Sequence, residues 1–123
     1  MPITVDLEGL DALFGQLDAL VDDMKDAALK GLDEGLRETV SRAKFLAPVD
    51  TGQLRDSITS EVERRGDEIH GKVAARTGYA TYVELGTRHQ PAQPYLYPAA
   101  KETEDAVKDK VAGAVNNTLR GGG

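Results

Sequence analysis

An α+β fold is predicted for this 123-residue chain, with a long N-terminal helical segment, a small antiparallel sheet and a C-terminal helix. Three observations carry that prediction. Apolar residues recur every three or four positions from Leu10 to Ala47 and again from Leu96 to Leu119, which is the helical period. Between these segments, Ile58 to Val62 and Ile69 to Ala75 alternate apolar and polar side chains, which is the period of half-buried strands. Proline and glycine mark the changes of period at Pro48, Gly52, Gly66, Gly86 and Pro91.

The elements follow in order. Ile3-Thr4-Val5, with Leu7, alternates as a short strand. The stripe Leu10, Leu13, Phe14, Leu17, Leu20, Val21, Met24, Ala28, Leu32, Leu36, Val40, Ala43, Ala47 predicts an amphipathic helix. Unbroken, it would be about 57 Å long, against a diameter of roughly 35 Å for a compact chain of this size. A break near Val21–Asp23 or at Gly31 is therefore expected, together with packing of the stripe against another subunit. Gly9, Gly15, Gly31 and Gly35 each weaken this helix.

Pro48 ends the helical regime, because it lacks a donor and restricts the residue before it. Asp50 and Thr51 can turn the chain through their side-chain oxygens, and Gly52 can adopt positive φ. Leu54, Ile58 and Val62 suit either a helix or a strand face, and Ser57-Ile58-Thr59-Ser60 tips the expectation to strand. Arg65-Gly66-Asp67 suits a hairpin turn into the next strand. Tyr79 to Leu85 reads as a short helix or strand stopped by Gly86, Arg88 to Pro98 as a stiff loop, and the last helix starts between Pro94 and Tyr97. The expectation is one domain over 1–123: mainly helical to 47, a sheet region over 48–90, then loop and helix over 91–120.

Composition excludes several functions. The sequence has no cysteine, hence no disulfide, thiolate metal site or cysteine nucleophile. No stretch approaches the roughly 18 apolar residues needed to span a bilayer. The N-terminus lacks the pattern of a signal peptide, so synthesis in a cytoplasm is expected. His70 and His89 have no partner at helical metal-pair spacing, no histidine adjoins a nucleophile in a catalytic motif, and no glycine loop cradles phosphate. No enzyme activity and no cofactor are expected.

Charge is uneven along the chain. Residues 1–26 carry Asp6, Glu8, Asp11, Asp18, Asp22, Asp23 and Asp26 against Lys25 alone, and the remaining acids and bases balance. The net charge of −6 thus sits at the N-terminal end, which argues against a simple nucleic-acid binder. Arg55, Arg64, Arg65, Lys72, Arg76 and Arg88 gather in the sheet region. Acidic and basic ends on one chain suit head-to-tail assembly.

Three blocks, in order, carry a resemblance: Ala47-Pro48-Val49-Asp50-Thr51-Gly52-Gln53-Leu54-Arg55-Asp56-Ser57-Ile58, then Tyr79-Ala80-Thr81-Tyr82-Val83-Glu84-Leu85-Gly86-Thr87, then Pro94-Tyr95-Leu96-Tyr97-Pro98-Ala99. Together they resemble the gene-product-ten-like tail components of long-tailed bacteriophages, the head–tail joining or tail-completion proteins. The resemblance spans roughly residues 30–110, leaves 1–26 outside, and has Leu85 where phenylalanine is common.

It implies a structural virion protein of the neck or the head-proximal tail end: a tail terminator, tail-completion protein or head–tail connector. Such proteins form rings, here expected to be hexameric, and contact other neck and tail proteins, with no membrane involved. DNA would pass through the ring without specific binding, past acidic side chains that repel its phosphates, unless the acidic helix meets a basic neighbour instead. The blocks would supply assembly contacts through Pro48, Asp50, Thr51, Gly52, Leu54, Arg55, Tyr79, Tyr82, Glu84, Gly86, Thr87 and Pro94, with Arg55 and Glu84 forming an ion pair within or between subunits. The alternative is a cellular or prophage-derived module that binds nucleic acid or protein through the Arg64–Arg76 hairpin.

Overall fold

The computed structural model describes residues 3–6, 22–48, 52–65 and 68–119. In chain order the elements are β1 (Ile3–Asp6), α1 (Asp22–Leu46), α2 (Gln53–Asp56), β2 (Ile58–Arg65), β3 (Glu68–Ala75), α3 (Ala80–Leu85) and α4 (Leu96–Leu119). The architecture is α+β: an antiparallel sheet in the order β1-β3-β2 lies against the long helix α1, which in turn packs along α4. Register pairs Val5 with Val73 on one side of β3 and Ser60 with Val73 on the other. Arg65 pairs with Glu68, which leaves a two-residue connection as the sequence predicts; Gly66 and Asp67 themselves lie outside the described residues.

The helical repeat of α1 serves two neighbours at once. Ala28, Leu32, Leu36, Ala43 and the following Ala47 are buried, and so are Gly31, Gly35 and Thr39 between them. A Cβ placed on Gly35 would lie 2.9 Å from the Cα of Val107, and one on Gly31 would lie 2.6 Å from the backbone oxygen of Lys110. These glycines let the two helix backbones approach, and helix propensity is the lesser consideration there. Thr39 and Thr103 hydroxyls meet at 2.6 Å, and Thr103 also donates to the Ala99 carbonyl at 2.8 Å, so Thr39 is the donor in the pair. Arg42 reaches Glu102 at one edge of the same helix pair and lies 5.0 Å over the Phe45 ring.

α1 runs through Gly31 without interruption, which removes one of the two expected break points. Its 25 residues span about 37 Å. The stripe from Leu10 to Val21 lies outside the described residues. A second correction concerns Leu54, which sits in a helical turn and not on a strand. Gly52 at φ 80° opens that turn, the Asp56 N–H donates to the Gly52 carbonyl at 2.9 Å, and the Ser57 hydroxyl donates to the Leu54 carbonyl at 2.7 Å. Local side-chain bonding has won over strand propensity, and β2 begins only at Ile58.

Leu54, Ile58, Val73, Ala75, Ala80, Tyr95 and Leu96 join the α1 and α4 side chains in one buried cluster. Removing each large apolar side chain from water contributes roughly 1.5–3 kcal/mol. α4 follows its predicted stripe closely: Leu96, Ala100, Val107, Val111 and Val115 are buried.

Candidate functional site

Described residues of the three sequence blocks share one buried cluster through Leu54, Ala80, Tyr95 and Leu96, and Glu84 joins α3 to the start of α4. Glu84 is the centre of this junction. It is 2% exposed, on a short helix where Ala80 is also buried and Tyr82 and Leu85 are exposed. One carboxylate oxygen, Oε1, accepts the backbone N–H groups of Tyr95 at 3.0 Å and Leu96 at 2.7 Å; the other, Oε2, accepts that of Tyr97 at 3.1 Å. A helix start leaves its first N–H groups without intrahelical partners. In α4 the next residue is Pro98, which has no N–H, so this one carboxylate satisfies all the donors that the first turn presents. The negative charge also sits at the positive end of the α4 dipole.

The loop between α3 and α4 is built to bring that cap into place. Gly86 takes φ 80° and ψ 171°, a conformation that side-chain-bearing residues rarely adopt, and its N–H donates to the Tyr82 carbonyl at 2.8 Å. Thr87 Oγ1 accepts the N–H groups of His89 at 3.2 Å and Gln90 at 3.1 Å, and the Thr87 N–H returns to the Gln90 carbonyl at 2.9 Å. Gln93 N–H donates to the Val83 carbonyl at 2.8 Å, which fastens the segment before the exposed Pro94 to α3. Tyr95 is fully buried, and its hydroxyl donates to the Ala80 carbonyl at 3.1 Å. Burial first, and the nearby Glu84 carboxylate second, raise the Tyr95 pKa well above the ordinary phenol value.

Of the residues singled out from sequence, Glu84, Gly86 and Thr87 therefore shape the junction. Leu54 is buried in the core, Gly52 opens α2, and Pro48 is half-buried just past α1. Asp50 and Thr51 lie outside the described residues. Tyr79 and Tyr82 are 39% and 56% exposed, and Leu85 and Tyr97 are open to solvent as well.

The expected Arg55–Glu84 pair is not formed within the chain. Arg55 is exposed beside Asp56 at 3.4 Å, while Glu84 is buried and committed to three backbone donors. The pair was expected because the motif blocks supply one cation and one anion near adjacent strand ends. The signal that marks a cap instead is a carboxylate in an apolar block, followed by a proline-bounded approach to a helix whose third residue is Pro98.

The basic residues of the sheet are compensated inside the chain. Arg64 meets Asp26 of α1 at 3.0 Å, Arg65 meets Glu63, and Glu61 takes both Arg76 at 2.6 Å and Lys72 at 3.4 Å. Phosphate contact by this hairpin would have to displace those carboxylates, which disfavours the nucleic-acid-binding module. Among the described residues, no three His, Cys, Asp or Glu side chains gather as a metal site, and no helix is long and apolar enough to cross a membrane.

Helix capping by Glu84, loop fixing by Gly86 and Thr87 and close packing of α1 on α4 define a small α+β structural unit. Residues 11–86 match the family model described as "Bacteriophage HK97-gp10, putative tail-component". That range is more than half of the chain, and the protein belongs to this HK97-gp10-like family. The match starts at residue 11, so much of the acidic N-terminal region falls inside it, contrary to the narrower resemblance; it ends before the Pro94–Ala99 block. No curated protein and no solved structure matches the chain significantly.

Proposed function

We propose that this protein is a structural subunit of the virion at the neck or head-proximal end of a phage tail. There it forms a ring of six copies that joins or completes head and tail. The observation that carries this reading is membership of a tail-component family. The geometry agrees with it: the motif residues cap, turn and pack, and large apolar side chains remain exposed beside them. Six copies would match the symmetry of a tail, and the other contacts would be to neighbouring neck and tail proteins.

DNA would pass through the ring without specific binding, repelled by acidic side chains of the N-terminal region that do not meet a basic neighbour. The hairpin arginines, already paired with carboxylates, add no free cationic track. Function on this reading is assembly, with no catalysis and no cofactor.

The test is to purify particles and measure the protein's copy number by quantitative mass spectrometry, alongside electron microscopy of a deletion mutant. Multiple copies per particle, and heads and tails left unjoined or tails of abnormal length without the protein, are the expected results. Absence of the protein from purified particles would overturn the proposal.

A further inference from the structure

We infer that the outer face of α3 is a docking surface for residues 10–21 of a second copy of this chain, so that subunits meet head to tail. This rests on the ring reading given above and names the surfaces that would build it. Tyr79, Tyr82 and Leu85 recur at every third position on one side of α3 and are 39%, 56% and 63% exposed. Tyr97, 52% exposed, is held close to α3 by the bond of its backbone N–H to Glu84. Soluble monomers seldom leave aromatic and leucine side chains clustered in the open, and such clusters mark interaction sites. Arg88 and Lys101 are exposed nearby, and neither has an acidic partner among the described residues.

The occupant must therefore be apolar on one side and acidic on the other. Residues 10–21 fit: Leu10, Leu13, Phe14, Leu17, Leu20 and Val21 fall at helical spacing. Asp11 and Asp18 lie between them, and no lysine or arginine precedes Lys25.

As a helix continuing into α1, the segment would not reach its own α3. The Arg64–Asp26 contact places the end of β2 beside the start of α1. The Arg42–Glu102 and Thr39–Thr103 contacts place the start of α4, and with it α3, at the other end. From Asp26 to Arg42 along α1 is 16 residues, about 24 Å. Residues 10–21, as the helix their spacing predicts, reach only about 18 Å from Asp22. A contact between opposite ends of two copies is heterologous, the kind that closes into rings.

Engineered disulfides test this directly, because the chain has no cysteine of its own. Particles would be assembled with the double variant Leu17→Cys/Tyr82→Cys, oxidised, and run on non-reducing gels, with each single variant as control. The expected result is a ladder of whole multiples of the chain that neither single variant gives. A disulfide closed within one chain, a link to a different virion protein, or no link in particles that contain many copies would overturn the docking while leaving the ring reading in place. If the protein is absent from particles, the virion reading fails, and the same variant in concentrated purified protein decides the docking alone.

Leu85→Glu gives an independent measurement. Its melting curve should match that of the unaltered chain, because the side chain is exposed, while its incorporation or self-association falls about tenfold or more. Undiminished association of the folded variant would equally overturn the inference.

Discussion

Replacing Glu84 by glutamine removes one oxygen and one charge while keeping the shape of the side chain. The remaining amide oxygen can still accept from Tyr95 and Leu96, now in neutral bonds. Its NH2 group faces the Tyr97 N–H, donor against donor, at the position where Oε2 now lies 3.1 Å away. Bonds to a charged acceptor contribute roughly 1.5–3 kcal/mol each and neutral ones about 0.5–1.5, while an unsatisfied buried donor costs about 1–3. Tyr97 is half exposed, so water relieves part of that last cost. The sum for Glu84→Gln is a loss of about 2–4 kcal/mol, and a drop in melting temperature of roughly 10 °C. Urea and thermal unfolding followed by circular dichroism would measure it, with an unchanged urea m-value showing that the folded state keeps its extent of burial. Glu84→Asp should lose a similar amount, because the shorter side chain cannot reach all three donors. A Glu84→Gln variant within about 0.5 kcal/mol of the unaltered chain would refute the claim that this carboxylate caps α4.

Two further perturbations separate packing from propensity and test the buried phenol. Gly35→Ala should destabilise by about 1–3 kcal/mol despite alanine's better helix propensity, because its Cβ would lie 2.9 Å from the Val107 Cα. Gly113→Ala on α4, where a Cβ meets nothing within 4 Å, should stabilise by about 0.5–1 kcal/mol in the same unfolding assay. Tyr95 predicts the alkaline limit of stability. Its pKa is raised in the folded state by burial and then by Glu84, so the unfolded chain loses the proton first as pH rises. Stability from this source is complete below about pH 10 and then falls by roughly 1.4 kcal/mol per pH unit until the folded-state pKa is reached. Tyr95→Phe should show a shallower decline above pH 10 in alkaline unfolding curves, at the expense of the hydrogen bond to Ala80.

The elements whose side chains repeat at a fixed period were legible from sequence. The α4 stripe, the β2–β3 alternation and the short β1 strand fall where they were expected, because burial of one face leaves a periodic mark. What escaped was decided by single contacts that leave no period in the sequence. Gly31 and Gly35 read as weak points of a helix until Lys110 and Val107 are seen across from them. Leu54 read as strand because the hydroxyl of Ser57 closing a turn onto its carbonyl is a local event without a period. Glu84 read as an ion-pair partner for Arg55 because its charge is visible in sequence, whereas the three N–H groups that surround it belong to backbone. The basic residues likewise read as a patch, since nothing in their spacing shows that Glu61 meets Arg76 or that Asp26 meets Arg64.

The family-like motif and the contact surface are thus two faces of the same six-residue helix. On α3, Glu84 points inward to the first turn of α4, while Tyr82 and Leu85 on either side of it point outward. Fixing the inner residue fixes the angle at which the outer ones are presented, because α3, the Gly86–Thr87 turn and the start of α4 are held together by the same few hydrogen bonds. A substitution at Glu84 should therefore disturb stability and assembly together, whereas one at Leu85 should disturb assembly alone. That difference distinguishes a surface built for a partner from apolar residues left exposed by chance.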